Sequence, residues 1–194
     1  MKKDFFFFFQ IGIIVPDAQS VSRNLKRFLG WETQKTWETS RVSGRIYRGE
    51  ATDFACRMDF FQLPGMELEI IQPLTGPSCW QDYLDEHGRG IHHLLFDVNH
   101  SADSFAALHA YGIEIEQQGR ALPFGDQVFW AYVDSARTLG FTMELTNRRE
   151  FPKPLPPTTP ISGNYANLLG VSIAVNNLDQ AMQNWSHILG WQPE

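Results

Sequence analysis

The sequence predicts an α+β fold: paired βαβββ modules form a curved mixed sheet around a cavity, and an incomplete third module follows at the C-terminus. Three observations predict it. A strand-like run, a helix cap, a helix and a closing glycine recur three times along the 194 residues. The recurrences align without gaps, at an offset of 160 for the third on the first and 83 for the strand of the second. Polar residues stand at related places inside strands that are otherwise apolar.

The first module spans about residues 5–73. Its opening strand, FFFFFQIGIIV (5–15), is aromatic and β-branched, and Pro16 stops it. Asp17 is placed to cap a helix whose Val21, Leu25, Phe28 and Leu29 recur at helical spacing, and Gly30 closes it. Extended segments follow at 31–39, 54–63 and 66–72, the last two split by the Pro64-Gly65 turn signal. Residues 41–53 are ambiguous, with strand character around Ile46 and Tyr47. After 73–77 a short helix is expected around 80–86.

The second module spans about 91–148. It opens on GIHHLLFDV, continues into a helix over 102–111 with Ser101 as candidate cap, and Phe105, Leu108 and Tyr111 on one face, and ends at Gly112. Extended segments follow near 113–119, 128–134 and 141–147. A proline-rich linker, 150–165, should be extended and semi-rigid. The third module starts at 166, with a strand at 169–175 and a helix at 178–189 capped by Asn177 or Asp179. Val15 then falls on Val175, and Leu29-Gly30-Trp31 on Leu189-Gly190-Trp191. This module stops after its helix, which leaves its strand an open edge. Either the sequence is truncated there or the segment pairs with another chain, which makes a homodimer the expected assembly.

Composition narrows the function. A hydrophobic fraction of 43% supports a packed core, and a net charge of −6 disfavours nucleic acid and anionic membrane surfaces. The two cysteines, Cys56 and Cys79, form no CxxC motif and fit a reducing compartment. Lys2-Lys3 and the apolar run after them imitate a secretory signal, but Asp4 and Gln10 interrupt it and no small-residue cleavage site follows. A cytoplasmic protein with a small-molecule substrate is expected.

The candidate site comes from the repeat. Taken alone, His93 is either a hydrogen-bonded core residue or a metal ligand. Gln10 is its repeat-equivalent, and Glu69 in MELEIIQ and Glu144 in FTMELTN occupy corresponding places on the last strands. Each glutamate alone also fits a solvated sheet face. Four such side chains converging between two modules favour a divalent cation, because buried, unpaired carboxylates are costly and raise each other's pKa. Oxygens plus one imidazole suit Zn²⁺, Ni²⁺, Co²⁺ or Mn²⁺. His92 should face the opposite side of the strand, as a core residue or as support for His93.

QIGIIVPD, ELEIIQPL, GIHHLLFDV and MELTN, in this order, resemble the vicinal oxygen chelate superfamily of glyoxalases, bleomycin-resistance proteins and dioxygenases. The wording of GIHHLLFDV and ELEIIQPL is most similar to methylmalonyl-CoA epimerase-like members. The resemblance implies a glyoxalase-like domain over 1–149 and the start of a second over 166–194. It also implies metal ligands on the first and fourth strands of each module, here Gln10, Glu69, His93 and Glu144. Many members, the epimerases among them, have His where this chain has Gln10; the order Gln, Glu, His, Glu resembles eukaryotic glyoxalase I.

The implied activity is that of a metal-dependent lyase or isomerase, with Glu144 and Glu69 as bases removing a proton next to a polarised carbonyl of a thioester or thiol adduct. One alternative is a binding or resistance protein without chemistry, in which Trp130, Tyr132 and Phe60 line a cavity. Another is a dioxygenase, although the usual iron triad has two histidines. Arginines of 41–48 and Arg57 either neutralise an anionic substrate or are solvated charges.

Overall fold

The computed structural model describes Phe5 and residues 8–39, 44–121, 127–151 and 168–191. Strand β1 (Phe8–Ile14) is followed by helix α1 (Ala18–Leu29) and strands β2 (Lys35–Glu38), β3 (Ile46–Tyr47), β4 (Glu50–Ala51), β5 (Ala55–Leu63) and β6 (Met66–Thr75). Helix α2 (Cys79–His87) leads to β7 (Gly90–Asp97), α3 (Ser101–His109), β8 (Ile115–Arg120), β9 (Phe129–Val133), α4 (Ala136–Leu139) and β10 (Thr142–Thr146). A 3-10 turn, Arg148–Glu150, follows. Helix α5 (Leu178–Asn184) runs on into a π-helical turn, Trp185–Leu189.

The strands form one curled mixed sheet in the order β2-β5-β6-β1-β7-β10-β9-β8-β3-β4. The two first strands, β1 and β7, meet antiparallel at its centre, and each also pairs in parallel with the last strand of its own module. The registers carry the repeat to the level of single residues. Glu69 stands opposite Gly12, and Glu144 opposite Leu95, the residue 83 positions after Gly12. The ambiguous 41–53 stretch yields the β3–β4 hairpin, which leaves its own module and extends the edge of the other at β8.

The sheet has an apolar layer on each side. Ile11, Val15, Leu68, Ile70, Leu94, Phe96, Met143 and Leu145 belong to one buried cluster. Ile14, Met58, Phe60, Ile71, Trp80, Trp130 and Tyr132 belong to the other, with the free cysteines Cys56 and Cys79. Trp80, on the helix that joins the modules, stacks on Trp130 at 5.6 Å and meets Phe54 and Tyr132 edge-on.

The helices depart from the expected faces in informative ways. In α1 the Asp17 cap forms, its carboxylate accepting from Ser20 N–H at 2.8 Å, and Gly30 closes the helix at φ 72°. Phe28, however, is 69% exposed beneath Arg27, whereas Ser22 is buried and donates to Asp59. A buried carboxylate has recruited the polar side of the helix. In α3 Ser101 is no cap; it is the first helical residue, and its N–H is accepted by Glu150 from the far end of the module. Tyr111 is half-exposed, and Ser104, Ala107 and Leu108 form the buried face instead.

The third module is realised only in part. Most of the proline-rich linker, 152–165, lies outside the described residues, and no strand forms at 169–175, with which no strand among the described residues pairs. The helix does repeat α1: Asn177 accepts from Gln180 N–H as Asp17 does from Ser20, and Gly190 adopts φ 79°. It packs against the rest of the chain. Ile188 and Leu189 enter the same buried cluster as Leu94 and Phe96, Trp185 Nε1 donates to Leu139 O at 2.7 Å, and Trp191 Nε1 to Phe5 O at 3.2 Å.

Two stability tests arise from this packing. Ile188→Ala should cost about 2–5 kcal/mol in urea unfolding, as for a core position. A change within about 0.5 kcal/mol would mean that the segment does not belong to the core. At the sheet centre, the ring of His93 lies where a side chain on Gly12 would stand. Gly12→Ala should therefore cost about 1–3 kcal/mol by overpacking in the same assay, and an unchanged midpoint would contradict this placement.

Candidate metal centre

β1, β6, β7 and β10 are adjacent at the middle of the sheet, so alternate residues of all four share one face. On that face lie Gln10 and Gly12 of β1, Glu67 and Glu69 of β6, His93 of β7 and Glu144 of β10. Glu69, His93 and Glu144 each offer a donor atom within 4.8 Å of the other two. His93 is 0%, Glu69 4% and Glu144 5% exposed. His93 Nε2 stands 2.9 Å from Glu144 Oε2 and 3.5 Å from Glu69 Oε2.

These three atoms have no hydrogen-bond partner; among the described residues Trp80 Nε1, Ser104 Oγ and Gln117 Nε2 also lack one, but only these three converge. Buried polar atoms without partners carry a large desolvation cost, so their convergence calls for an explanation. The electrostatics agree. Burial, then the charges of Glu144 and Glu67, pushes the Glu69 carboxyl well above its usual range. Burial raises Glu144 to about 8 against the opposing pull of the Tyr132 hydroxyl and of Arg148, and lowers His93 to about 3. Two reluctant carboxylates and a reluctant imidazolium become one compatible set when all three act as lone-pair donors to a divalent cation. Donors bound at about 2.0–2.2 Å in a tetrahedral site stand roughly 3.5 Å apart, so the spacing fits Zn²⁺ or a similar ion.

Gln10 occupies the same face, but its amide nitrogen donates to Glu67 Oε1 at 2.5 Å. That bond occupies the half of the amide that cannot ligate and leaves the oxygen to do so. Glu67 is thus a site residue not singled out from the sequence. Its signal was present in MELEIIQ, where Glu67 and Glu69 share a face by alternation. Burial raises its carboxyl, and the bond from Gln10, followed by Arg148 and Lys35, opposes that rise.

His92 also departs from expectation. The pairing of β1 with β7 shifts register between Gly12 and Ile13, whose partners are His93 and Ile91, so His92 is the extra residue of a β-bulge. Alternation therefore fails locally, and both imidazole rings reach Tyr132, at 5.3 Å for His92 and 5.0 Å for His93. Their Nδ1 atoms are 3.2 Å apart.

The arginines considered for an anionic substrate are engaged elsewhere. Arg45 binds Phe54 O and Asp53, Arg48 bridges Asp82 and Glu116, and Arg57 pairs with Asp59. Arg41 lies outside the described residues. The aromatics Trp130, Tyr132 and Phe60 are all buried in the layer beside the site, packed with Trp80. No helix among the described residues is long and apolar enough to cross a membrane.

Comparisons with known proteins agree with this architecture. The methylmalonyl-CoA epimerase of Mycobacterium tuberculosis superposes with a TM-score of 0.54 at 18% identity, over 76% of this chain and 91% of that one. A Streptomyces coelicolor methylmalonyl-CoA epimerase variant in complex with 2-nitronate-propionyl-CoA gives 0.54 at 17%, over 73% and 96%. At these identities the likeness concerns the fold alone. The uncharacterized protein YqjC of Bacillus subtilis (strain 168) is 31% identical over 87 residues, 44% of this chain. The chain spans 61% of that relative's length. The profile of the Glyoxalase/Bleomycin resistance protein/Dioxygenase superfamily matches residues 9–132. With both modules, their central strand pairing and this match in hand, the chain belongs to that superfamily.

Proposed function

We propose that this chain is a metal-dependent lyase or isomerase of the glyoxalase–epimerase type, acting on a small acyl thioester or thiol adduct. The observation that carries the proposal is the convergence of Glu69 Oε2, His93 Nε2 and Glu144 Oε2, all buried and without hydrogen-bond partners. A divalent cation held by Gln10, Glu69, His93 and Glu144 would supply Lewis acidity toward a substrate carbonyl oxygen. Structural neighbours that bind 2-nitronate-propionyl-CoA support the thioester as substrate class.

The chain's own residues provide the proton chemistry. Glu144 takes the proton from the carbon next to the carbonyl, acting as the general base of the buried cluster. The proton held by Glu144 is then returned to the carbon, or Glu69, entering the cycle protonated, gives its own from the other side, which inverts the carbon and leaves the two carboxyls to exchange protons with solvent. His93 stays neutral throughout, as burial dictates. Gln10 is neutral and takes no proton. Glu67 holds its amide so that the oxygen is directed away from the Glu67 side.

A second reading, binding without turnover, is favoured by the aromatic layer: Tyr132 packs on His93, and Trp80 on both Tyr132 and Trp130. A dioxygenase is supported less, since the cluster offers one imidazole and two carboxylates rather than the two-histidine triad.

Deuterium exchange discriminates between the first two readings. Metal-loaded protein incubated in D₂O with methylmalonyl-CoA, or with the hemithioacetal of glutathione and methylglyoxal, should exchange the proton next to the carbonyl of one of them. Glu144→Gln should reduce that exchange by about 10²–10⁴-fold with the fold retained. Loaded protein that binds but exchanges neither compound would favour the binding module.

The metal-free protein should also show a diagnostic pH dependence. A carboxyl whose folded pKa is raised binds more protons in the folded state, so its stabilising contribution is lost as pH rises through the folded value. Between pH 6.5 and 8 the Tm of metal-free protein should therefore fall, as Glu144 ionises near 8. His92 and His93, both lowered in the fold, oppose the decline only weakly, because their unfolded forms are already half deprotonated at about 6.5 and lose the remaining proton soon above it. Saturating Zn²⁺ should abolish the decline. A Tm that rises over this window without metal would contradict the assignment.

A further inference from the structure

We propose that His92 is a positioning residue for His93, accepting the Nδ1 proton of His93 and so leaving His93 Nε2 as a lone-pair donor toward Glu69 and Glu144. The inference rests on the metal-centre reading above and deepens it.

Three features of the chain place His92 there. The first is the bulge in β7, which turns the ring of His92 to the same side as that of His93. The same bulge occurs in the first module: Phe8 and Gln10 face Phe96 and Leu95, so Phe9 is the extra residue, 83 positions before His92. The repeat thus offers a position next to each first-strand ligand. In the second module that position holds an imidazole; in the first it holds Phe9, whose ring lies 4.2 Å under Arg148, and Gln10 is tied to Glu67 instead.

The second feature is the contact itself. Two buried Nδ1 atoms 3.2 Å apart are within hydrogen-bond distance, and the tautomers decide which of them donates. If the proton belongs to His92, then His93 is protonated at Nε2, donates toward Glu144 and is not a ligand. If it belongs to His93, then Nε2 is bare and faces both carboxylates, at 2.9 and 3.5 Å. Only the second arrangement serves a metal, and it requires His92 to be the acceptor with its own proton on Nε2.

The third feature is confinement. Tyr83 and Tyr132 pack edge-on against His92, at 5.1 and 5.3 Å, and Gly12 leaves no side chain beneath the ring of His93. Neither ring is free to turn away from the other without displacing an aromatic neighbour. Groups that orient a ligating imidazole commonly account for about 10–100-fold in metal affinity.

The test uses the full chain and Zn²⁺ in competition with a chromogenic chelator, with circular dichroism as a check of fold. His92→Leu should weaken Zn²⁺ binding by about 10–100-fold, whereas His92→Asn, which keeps an acceptor at the Nδ1 position, should stay within about threefold of the unaltered protein. Long-range ¹H–¹⁵N correlation of the Zn²⁺-loaded protein should show His92 protonated at Nε2 and bare at Nδ1. His92 protonated at Nδ1, or His92→Leu and His92→Asn binding alike, would overturn the role of His92. Failure of the unaltered protein to take up Zn²⁺ would instead overturn the metal centre on which it rests.

Discussion

Two carboxyl groups and an imidazole share a buried space at the middle of the sheet, and none of the three facing atoms has a hydrogen bond. The surrounding structure is arranged about this constraint. A sheet whose two central strands met a residue out of register would put these atoms on opposite faces, because side chains alternate. The parallel pairing of each module's first and last strands sets the height of Glu69 and Glu144. The antiparallel pairing of β1 with β7 brings the modules face to face across Gly12. The apolar layers on both sides then hold the desolvated groups in place, and a divalent cation would remove the cost of that desolvation.

The pseudo-twofold relation between the modules explains the site's symmetry, and its breaches set the two first-strand positions apart. Glu69 and Glu144 hold equivalent register positions, as do Gln10 and His93. The supporting groups differ. Glu67 holds the Gln10 amide, whereas the register-equivalent of Glu67 is Thr142 and the support for His93 comes from His92 on the bulge. One first-strand donor is therefore an uncharged amide beside an acid, and the other an imidazole beside an imidazole. Such inequivalence is suited to an asymmetric substrate, in which only one face of a carbon faces each glutamate.

Much of the fold was legible because its signals are periodic. Asp17, Gly30, Asn177 and Gly190 mark the same helix twice at one offset, and the alternation in MELEIIQ and FTMELTN shows which residues share a face. What escaped was set by contacts distant in sequence. Ser22 is buried because Asp59, on another element, needs a donor, and Glu150 replaces Ser101 as the cap of α3. The β3–β4 hairpin joins the opposite module, which no local pattern in 41–53 could show. His92 escapes strict alternation because it sits on a bulge, and IHH (91–93) repeats the position of FFQ (8–10), where the same bulge occurs. The segment 169–175 reads as a strand by composition, yet a strand also requires neighbours, and none pairs with it among the described residues.

Elemental analysis of the purified protein tests whether Glu69, His93 and Glu144 hold a metal. A divalent first-row metal is expected at close to one per chain, retained through dialysis and lost in a folded His93→Ala, Glu144→Gln double variant. Protein that carries no such metal, does not take one up from Zn²⁺, Ni²⁺, Co²⁺ or Mn²⁺, and is unaffected in its stability by any of them would contradict it.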